Sequence, residues 1–518
     1  MTFTLTRRPR LAGAALAAGV VIALGAGCVD LTETPITGIT SDFYASNAGF
    51  ESAVNASYSG LRDFYGQERG MTMTVFGTDE YTAGADGGFK QFDFYTSTLN
   101  GDASYIRDSW ADYYQSINTQ NTVITRAPAA NVTEALRATR VAEARFLRAL
   151  NYFHLVRFWG DVPLVTTETV SPTTEATRAP KADVYKQIVA DLQFAESNLP
   201  DVQAQYGRVT RPAARHLLSL VYLTRAGPGD FALAADKAKL VIATPGLSLV
   251  PRYRDIFDFG NQKNSEVIFS VQYTADPLST GPGNTAHLYF IMGYELLPGV
   301  RRDIANGRPF KRFRPTNFLL NLWDRSKDTR YEDMMQVVWY ANAVGASSIP
   351  KDASGTPKFA VGDTAIYLPG FEVTAAERAA RPYLTVTPSQ YTDATFPSLN
   401  KFIDPFRLTV NEARGSRNFI VMRLAETYLI AAEALMRDGR SAEAVPFVNA
   451  VRTRAAKPGQ AAAMAVTAAQ LDIDFMLDER ARELTGEQMR WFDLVRTGKL
   501  VERVTKYNPK AAANIQPY

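Results

Sequence analysis

The chain has 518 residues, 46% of them hydrophobic, and its 56 basic and 53 acidic residues leave a net charge of +3. That length exceeds one ordinary domain, and that apolar content builds a large core, which excludes a disordered or fibrous chain. Near-balanced charge without long runs of one sign argues against nucleic acid or an anionic surface as the main partner.

The first 27 residues read as an export signal: Arg7, Arg8 and Arg10, an apolar run from Leu11 to Leu24, then Gly25-Ala26-Gly27 before the only cysteine, Cys28. The run is too short to be retained as a membrane span. Small residues ending in Gly-Cys resemble a bacterial lipobox, which implies that the Cys28 thiol is diacylated and becomes the new N-terminus. At about 0.8 kcal/mol per buried methylene, several acyl chains would anchor the protein almost irreversibly. With its one cysteine acylated, the mature chain has neither a disulfide nor a thiol nucleophile.

Downstream, Ser41-Asp42-Phe43 opens a helical pattern with Phe43, Phe50, Val54, Tyr58 and Leu61 on one face. Residues 65–100 change to Gly, Thr, Asp and aromatic residues, as in FGTDEYTAGADGGFKQFDFYTSTLNG, and read as a long irregular segment of the kind that carries function. A helix follows over 105–125 with Trp110, Tyr113, Tyr114 and Ile117. The next, EARFLRALNYFHLVRFWGDVPLV at 143–165, is apolar around most of its circumference and leaves a thin polar stripe of Arg137, Arg140, Arg148 and Asn151. Ala138, Ala142, Ala144 and Ala149 would let another helix approach closely, and Gly160 with Pro163 is a stop signal. Residues 166–180, rich in Thr and Pro, read as an exposed linker.

Three helical hairpins emerge. The helix ending at Trp159 pairs with 183–199, 211–225 pairs with 231–243, and 418–437 pairs with 442–455. The last two each span roughly the 34 residues of a tetratricopeptide unit, with Gly-containing turns. In the last, Met422, Ala425, Leu429, Ala432 and Met436 form one stripe and Leu424, Tyr428, Ala431 and Leu435 another, as stacking on two neighbours demands. Residues 244–417 interrupt the series with Pro, Gly and short strand patterns at 266–273 and 335–340.

The words themselves carry a resemblance. EARFLRALNYFHLVRFWGDVPLV, GRVTRPAARHLLSLVYLTRA, SLNKFIDPFR, SRNFIVMRLAETYLIAAEALMRDGR, VNAVRTRA and LDERARELTGEQMRWFDLVRTGKL together, in this order, closely resemble the SusD/RagB family. The family consists of surface lipoproteins that hand nutrients to a TonB-dependent outer-membrane transporter. Residues 29–35 look like its polar tether. The resemblance implies a mostly α fold, a tetratricopeptide-like hairpin scaffold with a large loop-rich insertion containing short strands. It divides the chain into a signal peptide (1–27), an N-terminal helical region (28–243), the insertion (244–417) and a C-terminal helical region (418–518). The family usually continues past the position of Tyr518, which implies a sequence cut short at its end.

Catalytic chemistry finds little support. Asp478 and Glu479 with Arg482, Glu487 with Arg490, and Asp493 with Arg496 have intrahelical ion-pair spacing, worth a few tenths of a kcal/mol each when exposed. Glu426 and Glu433, on an apolar helix, suit Arg partners better than acid–base work. His154, His216 and His287 are scattered, with no metal-ligand spacing, Walker loop or nucleophile elbow. Gly281-Pro282-Gly283-Asn284-Thr285-Ala286 lacks the βαβ setting of a dinucleotide site. Asp328-Thr329-Arg330-Tyr331 resembles a structural turn of the family. No cofactor is expected.

What remains is recognition. Sugars stack their C–H faces on aromatic rings while polar side chains bond their hydroxyls. The family's ligand site lies on the loop-rich side, which points to Asp79, Tyr81, Phe94, Tyr95, Tyr289, Tyr294, Trp323, Trp339 and Tyr340; packing competes as the role of each, most of all for Trp323 beside Phe318, Leu319 and Leu322. The resemblance implies a non-enzymatic lipoprotein of the outer membrane, facing outward. It would bind a nutrient, a glycan before a peptide, and deliver it to a SusC-like TonB-dependent barrel. A periplasmic tetratricopeptide scaffold and a lipid-anchored glycoside hydrolase are the alternatives from other classes.

Overall fold

A computed structural model describes residues 41–517, apart from 172–173, 277, 280 and 344–348. The signal segment, Cys28 and the tether lie outside the described residues. None of the described helices is long and apolar enough to cross a membrane.

The helix Glu134–Trp159 is the axis of the fold. The Thr133 hydroxyl accepts from the Leu136 amide at its start, and Gly160 ends it at φ +71°. Every residue from Ala142 to Val156 except Arg145 is buried. The stripe read as polar is therefore partly internal: Arg148 donates Nε and Nη2 to Asp191 at 2.8 and 2.7 Å and Nη1 to Asn121 at 2.7 Å, and Asn151 donates to Gln120. A buried guanidinium is tolerable only when paired and hydrogen-bonded in this way.

Lys181–Asn198 packs along this helix, Arg211–Arg225 pairs with Asp230–Ile242, and Leu424–Arg437 pairs with Ser441–Arg454. The pairs stack in chain order, Lys181–Asn198 on Arg211–Arg225 and Asp230–Ile242 on Leu424–Arg437, although residues 243–423 separate the last two. Leu424–Arg437 is buried on nearly every side, as its two stripes require.

That last helix starts later than the sequence pattern suggests. Phe419–Arg423 is a strand, antiparallel to Val267–Val271. Aromatic and β-branched residues at Phe419, Ile420 and Val421 favour extended backbone once a partner strand is present. The ladder clamps the insertion near its two ends. Residues 65–100 are likewise less irregular than expected: Glu68–Val75 is helical, Tyr81–Ala83 is a strand and Gln91–Phe94 a short helix. Met71, Met73, Val75 and Phe76 are buried, and their burial overrides weak local propensity.

The charged blocks of the C-terminal region also differ from their exposed, intrahelical reading. Glu479–Arg482 and Asp493–Arg496 do pair at i,i+3, with both carboxylates buried. Asp478 instead meets Arg503, Glu487 meets Arg423 and Lys401, and Arg490 meets Asp79. Glu426 bonds His216 and Arg480, and Glu433 bonds Arg496. These residues pack between helices, so their ion pairs join separate elements.

Candidate functional site

Strand Tyr81–Ala83 pairs antiparallel with Phe313–Pro315, with Ala83 opposite Phe313. The pairing extends outward through Gly84 N–H to Arg312 O (2.8 Å) and Asp86 N–H to Lys311 O (3.2 Å). The loop after the first helices and the central insertion, far apart in sequence, are thus tied edge to edge. Past the ladder they project Asp86, Phe89, Phe310 and Arg312 beside Tyr105, in the first turn of Ser104–Arg126.

The rings of Phe89 and Tyr105 stack at 3.9 Å between centroids and 16° between planes, and both are half-buried. The Arg312 guanidinium lies 5.6 Å from the Phe89 ring and 5.5 Å from the Tyr289 ring. It donates Nε to Asp86 at 2.9 Å and Nη1 to Glu68. Burial alone would lower the Arg312 pKa, yet the Glu68 and Asp86 carboxylates hold it above its ordinary value. Burial, followed by the Glu68 charge, pushes the Tyr105 phenol upward, leaving it a neutral hydrogen-bonding group at physiological pH.

Two non-glycine residues here occupy the left-handed region, Phe89 at φ +55° and Lys311 at φ +54°. Each costs on the order of 1 kcal/mol, and such strain concentrates where a side chain must be aimed. Gly88 precedes Phe89, and a Cβ there would come within 2.8 Å of the Arg312 guanidinium. Two half-buried stacked rings, a buried cation and two carboxylates are thus brought together between the two loop segments. Rings of this kind suit the apolar face of a sugar, and the charged rim suits its hydroxyls.

Most residues singled out from sequence are buried, and of these Tyr289 lies against Arg312. Asp79 is buried and accepts from Arg490 at 2.7 and 2.6 Å and from Arg503 at 2.7 Å, so it is an internal counter-ion with no face for a ligand. Tyr81 is buried against Phe290 with its hydroxyl at Thr485. Tyr289 packs between Phe310 and Phe313, and Tyr294 donates to Gly307 O while stacking on Trp339. Trp323 is buried and donates to Arg482 O, and Trp339 is wholly buried. Burial withdraws all six from solvent, and the five aromatic ones belong to the main hydrophobic core, continuous with the helical scaffold. Phe94 and Tyr95 are half-buried, and the Tyr95 hydroxyl donates to Gly77 O. Tyr340, 59% exposed, is the one that stands clear on the surface, on the separate Val338–Tyr340 strand. Sequence reasoning missed Phe89, Tyr105, Arg312, Asp86 and Glu68. The Asp86-Gly87-Gly88-Phe89 turn was the available signal, since a glycine pair lifts the following ring outward.

Glu80 offers a test of the strand's burial. Its nearest cation, Arg490 at 3.4 Å, is already held by Asp79. Burial, opposed by Arg490 and reinforced by Asp79, pushes its carboxyl up to about 7. A raised acid contributes stability that is complete below the unfolded value near 4.5 and is lost as pH rises through 7. Glu80→Gln is therefore expected to match the parent at pH 4.5 and exceed it by a few kcal/mol at pH 8. Thermal melts of both across that range check this; a pH-independent difference contradicts it.

Comparison with known proteins places the fold. The profile described as the SusD family matches residues 370–516, and one described as starch-binding and associating with the outer membrane matches residues 39–223. SusD-like protein P2 of Formosa agariphila is 29% identical over 491 residues, 91% of this chain and 88% of that protein. Among solved structures, a laminarin-binding SusD-like protein is 27% identical with a TM-score of 0.68, covering 91% of this chain and 95% of that one. A SusD homologue from Bacteroides thetaiotaomicron, 21% identical, superposes with a TM-score of 0.73 over 92% of this chain and 93% of that one. With profiles of one family matching both ends and relatives aligned along most of the length between, the chain belongs to the SusD/RagB family.

Proposed function

We propose that this chain is a glycan-binding lipoprotein of the outer membrane. It holds an oligosaccharide on the Phe89–Tyr105 surface and passes it to a SusC-like TonB-dependent barrel, with Cys28 as the acylated anchor and the loop side facing out. The observation that carries this reading is the half-buried ring pair beside Arg312, fixed by the ladder between the two loop segments. The family profile described as starch-binding and the laminarin-binding relative support a glycan before other nutrients. The arrangement is one of binding. Asp86 and Glu68 both pair with the Arg312 guanidinium, which engages them as counter-ions, whereas a glycoside hydrolase needs one of its two carboxyls protonated as the general acid.

Titration of the purified mature chain with neutral β-glucan, xyloglucan and malto-oligosaccharides is expected to give saturable binding to one of them. No reducing ends should be released, and a barrel protein should co-purify from membranes. Steady hydrolysis of the bound oligosaccharide, or full release from membranes without loss of acyl chains, contradicts the proposal.

A further inference from the structure

A second cleft, of about 650 Å³, opens at the end of the axial helix. It is lined by Arg157 to Gly160, by the start of Lys181–Asn198, by Arg225 at the end of Arg211–Arg225, and by Phe492 and Arg496. It shares no residue with the Phe89–Tyr105 surface. Its size falls within the range of small-ligand sites.

The cleft is lined by positive side chains, two of them without an ion-pair partner among the described residues. Among the described residues its lining contains no carboxylate. Arg225 and Arg496 are neutralised by Asp230, Glu433 and Asp493, but Arg157 and Lys181 have no acidic side chain within ion-pair reach among the described residues. The Arg157 guanidinium is held between the rings of Phe153 and Phe492, at 3.9 and 3.6 Å from their centroids. Nε donates to Phe153 O at 3.0 Å and Nη2 to the neutral His154 ring at 3.3 Å, which leaves Nη1 unbonded on a partly exposed side chain. Burial lowers its pKa to about 10, so it stays charged at neutral pH. A third source of positive potential is independent of these two side chains. The 18-residue helix Lys181–Asn198 begins here with Pro180 as N-cap and no side-chain cap, and Asp161 takes only the Lys181 amide.

A partly desolvated cation with a spare donor, beside the exposed Lys181 in a cleft whose lining carries no carboxylate, is the complement of a carboxylate. The half-buried Trp159 and Tyr185 rings beside it suit the apolar face of a pyranose. We propose that this cleft is a second binding site, for a saccharide that carries a carboxylate. The acid group sits on Arg157 and Lys181 and the sugar ring lies against Trp159 and Tyr185.

Digalacturonate and its neutral counterpart galactobiose test this, titrated into the whole purified chain and followed by tryptophan fluorescence and calorimetry. The acidic disaccharide is expected to bind at least about tenfold more tightly, as one charge-assisted contact provides, with the advantage shrinking as salt rises to about 0.5 M. Arg157→Gln and Lys181→Gln should each lose about tenfold for digalacturonate, while Tyr105→Ala leaves that affinity unchanged. Lys181 is exposed, so its variant reports on binding even if Arg157→Gln folds poorly. Equal affinity for the two disaccharides, full affinity in Lys181→Gln, or no digalacturonate binding up to about 10 mM overturns the proposal. Tighter binding of a short Glu-terminated peptide than of digalacturonate overturns the saccharide assignment.

Discussion

Glu483→Gln is expected to lower the stability of the chain by about 3 to 5 kcal/mol, the usual loss when a buried ion pair is broken from one side. Glu483 is fully buried and accepts from Arg423 at 2.7 Å, from Arg330 at 2.9 Å and from Arg454. Those three guanidiniums are shared with Glu266, Asp328, Glu479 and Glu487, and Lys401 joins at Glu487. The network joins the insertion, through Glu266, Asp328, Arg330 and Lys401, to the C-terminal helices. Glutamine keeps the volume of Glu483 and removes its charge, so three buried guanidiniums each lose one charged hydrogen-bond partner. With an unfolding entropy near 2.1 cal/mol/K per residue, the midpoint should fall by about 3 to 5 °C. The acid limb points the same way. Despite burial, Arg454, Arg423 and Arg330 hold the Glu483 carboxyl far below its ordinary value, and Arg330, Arg482 and Arg452 hold Glu479 near 2. Depressed carboxylates contribute stability above about pH 4.5 that is lost as pH falls toward 2, and Glu483→Gln should flatten that loss. An unchanged midpoint at pH 7 contradicts the role given to the network.

Asp79→Asn is expected to cost a similar amount, about 3 kcal/mol or more, because Arg490 and Arg503 both depend on that carboxylate. Its carboxyl is held low by both guanidiniums against the effect of burial. The sequence reading of Asp79 as a ligand group gives a different outcome: binding lost with stability intact. Chemical denaturation followed by titration of the folded variant separates the two. A large fall in stability with glycan affinity within about threefold of the parent fits an internal counter-ion, while the reverse restores Asp79 to the ligand.

The scaffold was legible because its signal is repetitive. Helices with two apolar stripes need neighbours on both sides, and the spacing of 211–225, 231–243 and 442–455 locates them to within a residue or two. Charge was the misleading signal. Arg148, Arg330, Arg423 and Glu483 look like surface residues in one dimension, and only the approach of distant segments turns them into internal pairs. Strand Phe419–Arg423 was hidden for the same reason, since its partner lies across the insertion. The candidate site suffered most. Bulky aromatics were chosen from the same two segments that the strand ladder joins, but hydrophobicity drove Tyr81, Tyr289, Tyr294 and Trp339 inward. Phe89 was left outside by a glycine turn and a left-handed backbone that composition does not reveal.

Titration of Tyr105→Ala and Phe89→Ala with the preferred neutral oligosaccharide is the most direct measurement. Loss of one stacked ring should weaken binding by about 1 to 3 kcal/mol, roughly tenfold to a hundredfold, with the melting midpoint within a few degrees of the parent. Retention of full affinity in both variants, with loss instead in Tyr340→Ala, would move the glycan to the Val338–Tyr340 strand and contradict the assignment.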